Sequence, residues 1–237
     1  MPAPSIKRSR VNQIMRESDE FIRSFGYVLP PFAYWSPAEF RARRHEAQAI
    51  IDANLGWDIT DYGLGEFDRT GLFLFTVRNG HVEDLKKGSG MLYAEKAMIS
   101  RKDQYSPMHR HNLKAEDIIN RGGGTLVIEL YGDTGGKCDK TKGVIVHTDG
   151  IRRELPPGGK LRLQPGESVT LMPNEHWHAF WGEGGDVFIG EVSTVNDDMT
   201  DNVFDDPRIS RFGGIEEDEE PWHLLVSDYA KWLPAPG

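Results

Sequence analysis

The most informative stretch of this chain is Met108-His-Arg-His-Asn-Leu-Lys-Ala-Glu116, in which two histidines stand two residues apart and a glutamate follows. If this stretch is a strand, His109 and His111 point to the same face, because side chains alternate along a strand with period two. These two imidazoles and the Glu116 carboxylate can form three corners of a divalent metal site. His178, on a distant strand-like segment, can supply the fourth. The pattern predicts a bound cation, a barrel-like fold and a small polar substrate.

The chemistry of these donors narrows the choice of ion. Imidazole nitrogen and carboxylate oxygen suit Mn²⁺, Fe²⁺, Co²⁺, Ni²⁺ or Zn²⁺, and no thiolate is among the candidate ligands. The alternative is that histidines of a surface loop happen to stand two residues apart. The glycines at 122–124 and a second histidine region behind the Pro165-Gly166 turn favour the metal site over that alternative.

Composition limits the class of protein. A chain of 237 residues suits a single domain with appended elements, and it is long enough to bury a core without disulfides. Its single cysteine, Cys138, cannot form an internal disulfide, so we expect a reducing compartment, the cytoplasm. The formal charge of −9 disfavours nucleic acid, and no apolar stretch approaches the length of a membrane span. A small neutral metabolite fits better.

The first part of the chain, residues 1–60, is predicted to be a helical extension. Apolar residues recur at helical spacing from Val11 to Phe25, and a glycine follows where a helix would stop. A second helix is predicted from Ser36, a candidate N-cap that forms a capping box with Glu39, to a stop at Gly56.

The pattern changes near Gly71, and residues 71–195 are predicted to form a β-barrel. Short strand-like runs alternate here with Gly- and Pro-containing turns, which is typical of an antiparallel sandwich or barrel. Residues 196–237 are predicted to be a C-terminal segment that packs on the barrel or on a dimer partner, since its aromatic residues would be unusual in a free tail. The predicted strands are Leu72–Val77, Leu92–Ile99, Thr125–Tyr131, Gly143–Thr148, Lys160–Leu163, Ser168–Met172 and Asp186–Val195.

The two histidine regions resemble the two metal-binding motifs of the cupins. His109-x-His111-x4-Glu116-x6-Gly123 is similar to the first motif, and Gly166-x6-Pro173-x4-His178 to the second. The resemblance implies a mainly β fold: a single domain with a cupin β-barrel of jelly-roll type and the N-terminal helices packed outside it. His176 shares a strand face with His178, but His178 matches the cupin offset from Pro173, so we choose His178 as the ligand.

A closer resemblance covers most of the chain. Met108–His111, the run from Glu116 to Gly124 and the acidic run at 215–220 resemble the bacterial D-lyxose ketol-isomerases. This family implies conversion of D-lyxose to D-xylulose and of D-mannose to D-fructose, with Mn²⁺ preferred, in a homodimer.

Such an isomerisation moves a proton from C2 of the sugar to C1. A divalent ion that holds two sugar oxygens acidifies the C2–H bond and stabilises the enediolate, and a carboxylate or lysine carries the proton. Direct hydride transfer from C2 to C1 is the competing mechanism, and residue types do not decide between the two.

Lys96 is the first candidate for proton transfer. It is predicted to share a strand face with Ala94 and Met98, so it either ends at a strand edge or projects into a pocket. The family resemblance implies an active-site lysine in this strand.

The second candidate is a carboxylate, and its position is open. The family implies an active-site glutamate in the C-terminal part of the chain, and we rank Glu216 ahead of Glu217. An acidic run of this kind is usually only a solvated face. Glu191 competes with both, because it alternates with apolar residues in a strand-like run.

These expectations together predict a metal-dependent aldose–ketose isomerase. His109, His111, Glu116 and His178 would bind the ion, while Lys96 and Glu216 would move protons. Two other functions fit the same ligands: an Fe²⁺-dependent cupin dioxygenase, which would consume oxygen, and a non-catalytic sugar-binding cupin.

Overall fold

The computed structural model describes residues 5–197, 200–210 and 214–233, and within them the fold is mainly β, as predicted. The strands are β1 (Ile6–Lys7), β2 (Gly56–Thr60), β3 (Leu72–Asn79), β4 (Tyr93–Ser100), β5 (Ser106–His111), β6 (Glu116–Thr134), β7 (Lys137–Asp139), β8 (Val144–Thr148), β9 (Ile151–Leu155), β10 (Gly159–Leu163), β11 (Ser168–Leu171), β12 (His176–Thr194), β13 (Asn202–Phe204) and β14 (Ile215–Glu216). The helices are α1 (Arg8–Ser24), α2 (Pro37–Ala42), α3 (Gln48–Asp52), α4 (Val82–Lys87) and α5 (Tyr229–Trp232), with 3-10 turns at Pro31–Tyr34 and Val226–Asp228.

The N-terminal helices differ in part from the prediction. Helix α1 confirms the first predicted helix, and the capping box between Ser36 and Glu39 at the start of α2 is present. The predicted continuation to Gly56 is wrong, because α2 ends at Ala42 and α3 is a separate short helix. The polar residues 43–46 between them offer no apolar side chain to the core.

Gly56 begins a strand instead of ending a helix, so the helical extension does not reach residue 60. In β2, Trp57 and Ile59 alternate with polar residues and are buried in the core, which is the period-two pattern of a strand. Strand β2 pairs in antiparallel fashion with β3 at one end of the main sheet.

The long strands β6 and β12 form the central ladder of the sheet. The hydrogen-bonded order is β2-β3-β4-β12-β6-β11-β8-β9; β10 and β7 also pair with β6, and β5 lies between β12 and β13. Both long strands exceed the predicted runs, because each continues through a group of glycines. A Cβ on Gly124 would lie 2.6 Å from the carbonyl oxygen of Gly185, so only glycine allows the two backbones to approach this closely.

The bend at these glycines creates the interior of the fold. Along the ladder Glu116 pairs with Ser193 near one end, while His178 pairs with Leu130 near the other. Yet Oε1 of Glu116 lies 3.3 Å from Nε2 of His178, so the ribbon curls over and brings its two ends together. An apolar cluster, which includes Ile118, Leu126 and Ile128, fills the interior beside them.

Residues 214–233 of the C-terminal segment pack on the N-terminal layer, whereas β13, earlier in this segment, pairs with β5 of the main sheet. Strand β14 pairs in parallel with β1, and Leu225 forms a bridge with Trp57. The remaining positions at 198–199, 211–213 and 234–237 lie outside the described residues. None of the helices described is both long and apolar enough to cross a membrane.

Candidate metal centre

Three histidine side chains from two strands meet in the interior. His109 and His111 lie on β5, and His178 on β12 is the register partner of His109. The ring centroids of His109 and His178 are 4.1 Å apart, and those of His109 and His111 are 5.3 Å apart. One nitrogen from each ring lies within 4.8 Å of the others, so the three rings can share one ion.

Glu116, at the start of β6, joins this cluster. Its Oε1 lies 3.2 Å from Nε2 of His111 and 3.3 Å from Nε2 of His178. The Glu116 side chain is almost completely buried. The structure therefore brings together all four residues that the sequence singled out as ligands.

Burial and neighbouring charges together set the charge of these groups. Burial and Lys114 would lower the pKa of His111, but Glu116 and Asp201 raise it above its usual value. Desolvation, with a smaller effect of His111, lowers the pKa of His109 to about 3. Desolvation and then His109 also hold the pKa of His178 well below its usual value. Burial alone would raise the pKa of the Glu116 carboxyl, but Lys114 and His111 hold it well below its usual range. Two neutral imidazoles beside a carboxylate are donors that a divalent cation accepts.

The buried donor atoms fit a bound ion. Both ring nitrogens of His111 and of His178, and Oε1 of Glu116, are buried with no hydrogen-bond partner among the described residues. Buried polar atoms are nearly always paired, and one bound ion could satisfy one nitrogen of each ring together with Oε1 of Glu116. For His109 the ring orientation is already fixed: Nδ1 donates to the carbonyl oxygen of Pro107 at 2.7 Å, which leaves Nε2 as the donor atom for a metal.

His176 is not available as a ligand. Its Nδ1 accepts a hydrogen bond from the backbone N–H of Met172 at 2.8 Å, and its Nε2 donates to the carbonyl oxygen of Ile145 at 3.0 Å. The ring is also buried. His176 instead fixes the turn before β12, which carries His178.

A buried chain of charges leads from Glu116 to Lys96. Nζ of Lys114 lies 2.7 Å from Oε2 of Glu116 and 2.8 Å from Oε1 of Glu191. Nζ of Lys96 lies 3.7 Å from the same Glu191 oxygen, and Lys96 and Glu191 are register partners in β4 and β12. None of the four side chains is more than 5% exposed. The structure thus links both Lys96 and Glu191 to the histidine cluster through Lys114 and Glu116.

Sequence reasoning missed Lys114 and Asp201. Lys114 stands two residues before Glu116, so strand periodicity could have placed both on one face. Asp201 comes from the segment before β13, and its buried carboxylate accepts hydrogen bonds from the loop that carries Lys114. No motif in the sequence links Asp201 to this loop.

Glu216 is not part of this cluster. It is exposed on β14, where it pairs with Lys7 of β1, whereas the histidines lie on β5 and β12. Glu217 next to it forms hydrogen bonds with Arg8. The placement of Glu216 is against the catalytic role that we expected for it, because the acidic run packs along α1 and not over the histidines.

Comparison with known proteins identifies close relatives. A model of the D-lyxose isomerase family matches residues 6–229. The chain is 47% identical over 232 residues to a D-lyxose/D-mannose isomerase of Serratia proteamaculans, with 96% of this chain and 100% of the relative covered. It is 41% identical over 230 residues to a D-lyxose/D-mannose isomerase of Escherichia coli O157:H7, with the same coverage of 96% and 100%.

Solved structures share the fold at low sequence identity. The L-ribose isomerase of Acinetobacter sp. DL28 in complex with L-ribose aligns with a TM-score of 0.57 at 14% identity, over 91% of this chain and 100% of that chain. The L-ribose isomerase of Cellulomonas parahominis with no ligand gives a TM-score of 0.55 at 16% identity, over 90% and 99%. These likenesses concern the fold alone and confirm the predicted fold class.

Proposed function

This chain belongs to the D-lyxose isomerase family, and on that premise we propose that it is a metal-dependent aldose–ketose isomerase acting on D-lyxose and D-xylulose, and also on D-mannose and D-fructose. That it is a sugar isomerase follows from its relatives. The observation that carries the finer proposal is the placement of three imidazoles and a carboxylate beside a buried lysine–glutamate pair.

The residues proposed to hold the ion are His109, His111, Glu116 and His178. Support comes from the buried donor atoms without partners and from the nitrogen and oxygen donor set, which suits Mn²⁺, Co²⁺, Fe²⁺, Ni²⁺ or Zn²⁺. Mn²⁺ is placed first because of the family resemblance. When bound, a divalent cation would acidify the C2–H bond of a sugar and stabilise the negative charge that develops on its oxygens.

Glu191 and Lys96 are the groups that we propose for proton transfer, with Glu191 in place of Glu216. The Glu191 carboxylate would take the proton from C2 of the aldose, exchange it with solvent, and deliver a proton to C1. The Lys96 ammonium would donate a proton to O1 and recover one from O2, so that the protons balance. Lys114 would hold Glu191 and Glu116 in position, because its ammonium contacts both carboxylates. A general acid and base in one buried pair favours proton transfer over a hydride shift.

Further parts of the proposal concern the whole protein. We propose that residues 1–237 form a single cupin domain, that the substrate is a small neutral sugar, and that the chain works as a homodimer in the cytoplasm. The family resemblance supports the dimer, and the single cysteine supports a reducing compartment. Neither nucleic acid nor a membrane is a proposed partner.

A metal-reconstitution assay tests the function. The protein would be stripped with a chelator, reloaded with Mn²⁺, and incubated in D₂O with D-lyxose or D-mannose. We expect ketose only after reloading, with deuterium from the solvent at C1 of the product and no uptake of oxygen. His178→Gln should abolish the restored activity, whereas His147→Gln, at an exposed histidine on β8, should keep it.

Each alternative gives a different result in this assay. Ketose without solvent deuterium would overturn proton transfer in favour of a hydride shift. Oxygen uptake without ketose would identify a dioxygenase. Saturable binding of sugar without turnover would identify a binding protein and would contradict the proposal.

A further inference from the structure

We propose that Asp201 is a positioning residue of the candidate metal centre: it fixes the tautomer of His111 and holds the loop that aims Lys114 at Glu116. The inference rests on the proposed function, since it concerns the ion site of the isomerase. Asp201 belongs to neither histidine motif, and it reaches the site from the segment that precedes β13.

The first observation concerns the loop at Asn112–Lys114, which joins β5 to β6. Oδ1 of Asp201 accepts the backbone N–H groups of Asn112 at 3.1 Å and Leu113 at 2.7 Å, and Oδ2 accepts the N–H of Lys114 at 3.1 Å. Three consecutive N–H groups on one carboxylate define the path of the loop. The side chain of Leu113 is 54% exposed, so polar contacts, and not apolar packing, hold the loop in place. The carboxylate acts together with the carbonyl oxygen of Asp201, which also accepts the N–H of Asn112 at 3.1 Å, and with Nδ2 of Asn174, which donates to the carbonyl oxygen of Asn112 at 2.6 Å.

The second observation concerns the ring of His111. Oδ2 of Asp201 lies 3.6 Å from Nδ1 of His111, which is longer than a hydrogen bond but close enough for the charge to attract a proton on that nitrogen. A proton on Nδ1 leaves the lone pair on Nε2, the atom that faces Glu116 at 3.2 Å. His109 achieves the same result with a backbone carbonyl, so both histidines of β5 are oriented from the side away from the ion.

The third observation explains why Asp201 can do this. Strand β13 follows it directly and pairs with β5, with Asn202 opposite His111 and Phe204 opposite His109. The ring of Phe204 lies 5.6 Å from that of His109. The ladder sets the position of the backbone at Asp201, and its side chain is buried at 4% exposure. The carboxylate is therefore preorganised by the same strand that covers the edge of β5.

These contacts link two groups that converge on Glu116. His111 meets Oε1 of Glu116 and Lys114 meets Oε2, and Asp201 positions both of them. If Asp201 lost its charge, the neutral ring of His111 would favour a proton on Nε2, toward the remaining carboxylate, and the ion would have to displace it.

The test uses the full chain and Mn²⁺ itself. Metal-free wild type, Asp201→Asn and the control Asp206→Asn would each be titrated with Mn²⁺ against a chromogenic chelator. Asp206 is in the same segment, but its carboxylate pairs with exposed Arg208. We expect Asp201→Asn to raise the Kd for Mn²⁺ by about 10- to 100-fold, as loss of an outer partner of a metal ligand does, and Asp206→Asn to leave it unchanged.

Two measurements on metal-free protein separate positioning from a general loss of structure. Nitrogen NMR of the imidazoles should show the proton of neutral His111 on Nδ1 in wild type and on Nε2 in Asp201→Asn. Hydrogen exchange in wild type should show protection of the Leu113 amide despite the exposure of its side chain, and this requires no variant.

The results that would contradict this inference differ from those that would contradict the proposed function. An unchanged Kd for Asp201→Asn together with an unchanged His111 tautomer would overturn the inference. Rapid exchange of the Leu113 amide would overturn the part that concerns the loop. If wild type bound no Mn²⁺, the proposed metal site would fail, while the tautomer would still decide whether Asp201 orients His111.

Discussion

Two regions of this protein bury charged side chains, and they do so in opposite ways. One is a clamp between α1 and the C-terminal segment, formed by Arg8, Glu217 and Asp228. Arg8 donates hydrogen bonds to both oxygens of Glu217 at 2.8 and 3.0 Å and to both oxygens of Asp228 at 2.8 and 2.7 Å. Oδ2 of Asp228 also accepts the backbone N–H of Leu225.

The other region is the histidine cluster with its chain of charges from Glu116 to Lys96. Here the ring nitrogens of His111 and His178 are buried without hydrogen-bond partners. The charged groups of the clamp are hydrogen-bonded to one another, so the role of the clamp is to hold α1 and the C-terminal segment together. In the cluster, buried polar atoms lack hydrogen-bond partners within the chain and need a ligand from outside, which is typical of a binding site. Substitutions should therefore affect stability in the first region and activity in the second.

The largest expected effect comes from the lysine of the cluster. Lys96→Met removes the proposed acid but keeps a side chain of similar length, and Glu191 retains Lys114 as a partner. We expect kcat to fall by about 10²–10⁴-fold, the usual contribution of a general acid or base, while the Mn²⁺ content stays the same. Isomerase assays and elemental analysis measure the two quantities.

A lysine that contacts the clamp provides the matched control. Nζ of Lys231 lies 2.7 Å from Glu217, but its side chain is 59% exposed. Lys231→Met should leave kcat unchanged. Equal losses of kcat in both variants, or none in Lys96→Met, would contradict the division between the two regions.

The next effect is on stability. Arg8→Met leaves Asp228 buried with no charged partner in the clamp, and removal of one partner from a buried ion pair typically costs about 3–5 kcal/mol. Urea unfolding of metal-free protein should show a loss of this size, with kcat per folded molecule near that of wild type. Arg10→Met is the control, because Arg10 pairs with the exposed Asp68 and such pairs contribute at most about 1 kcal/mol. A similar loss of unfolding free energy in both variants would mean that burial of the clamp does not increase its contribution to stability.

The two regions also differ in how far the sequence could predict them. Strand periodicity was enough to group His109 with His111, the nearness of Glu116 in the chain added the carboxylate, and the motif offset selected His178 over His176. Lys96 was placed on the correct face by its alternation with Ala94 and Met98, both buried in the structure. These predictions depend on local period-two geometry, which sequence reveals well.

The rest depends on register and on long-range contacts. That Glu191 stands opposite Lys96 follows from the pairing of β12 with β4, which a sequence alone does not fix. The acidic run containing Glu216 and Glu217 was interpreted as part of the active site, yet its partners are on α1. Asp218 accepts hydrogen bonds from Ser9, and Glu219 accepts one from Asn12. The sequence of a run of like charges does not indicate which positive or polar surface the run will contact.

The smallest expected effect is the pH dependence of the clamp. Hydrogen bonds from Arg8 hold the pKa of Glu217 at about 2, below its usual 4.5, against a partial opposing effect of burial and with help from Lys231. A carboxyl whose folded pKa is lowered stabilises the fold above its unfolded pKa and loses that contribution as the pH falls toward the folded value.

The free energy of unfolding of wild type should therefore exceed that of Glu217→Gln by about 1 kcal/mol near neutral pH, since the side chain is partly exposed and screened. This difference should shrink as the pH is lowered from 4.5 toward 2 in urea titrations with chelator present. A difference between wild type and Glu217→Gln that stayed constant with pH would show that Glu217 contributes packing to the clamp but not charge.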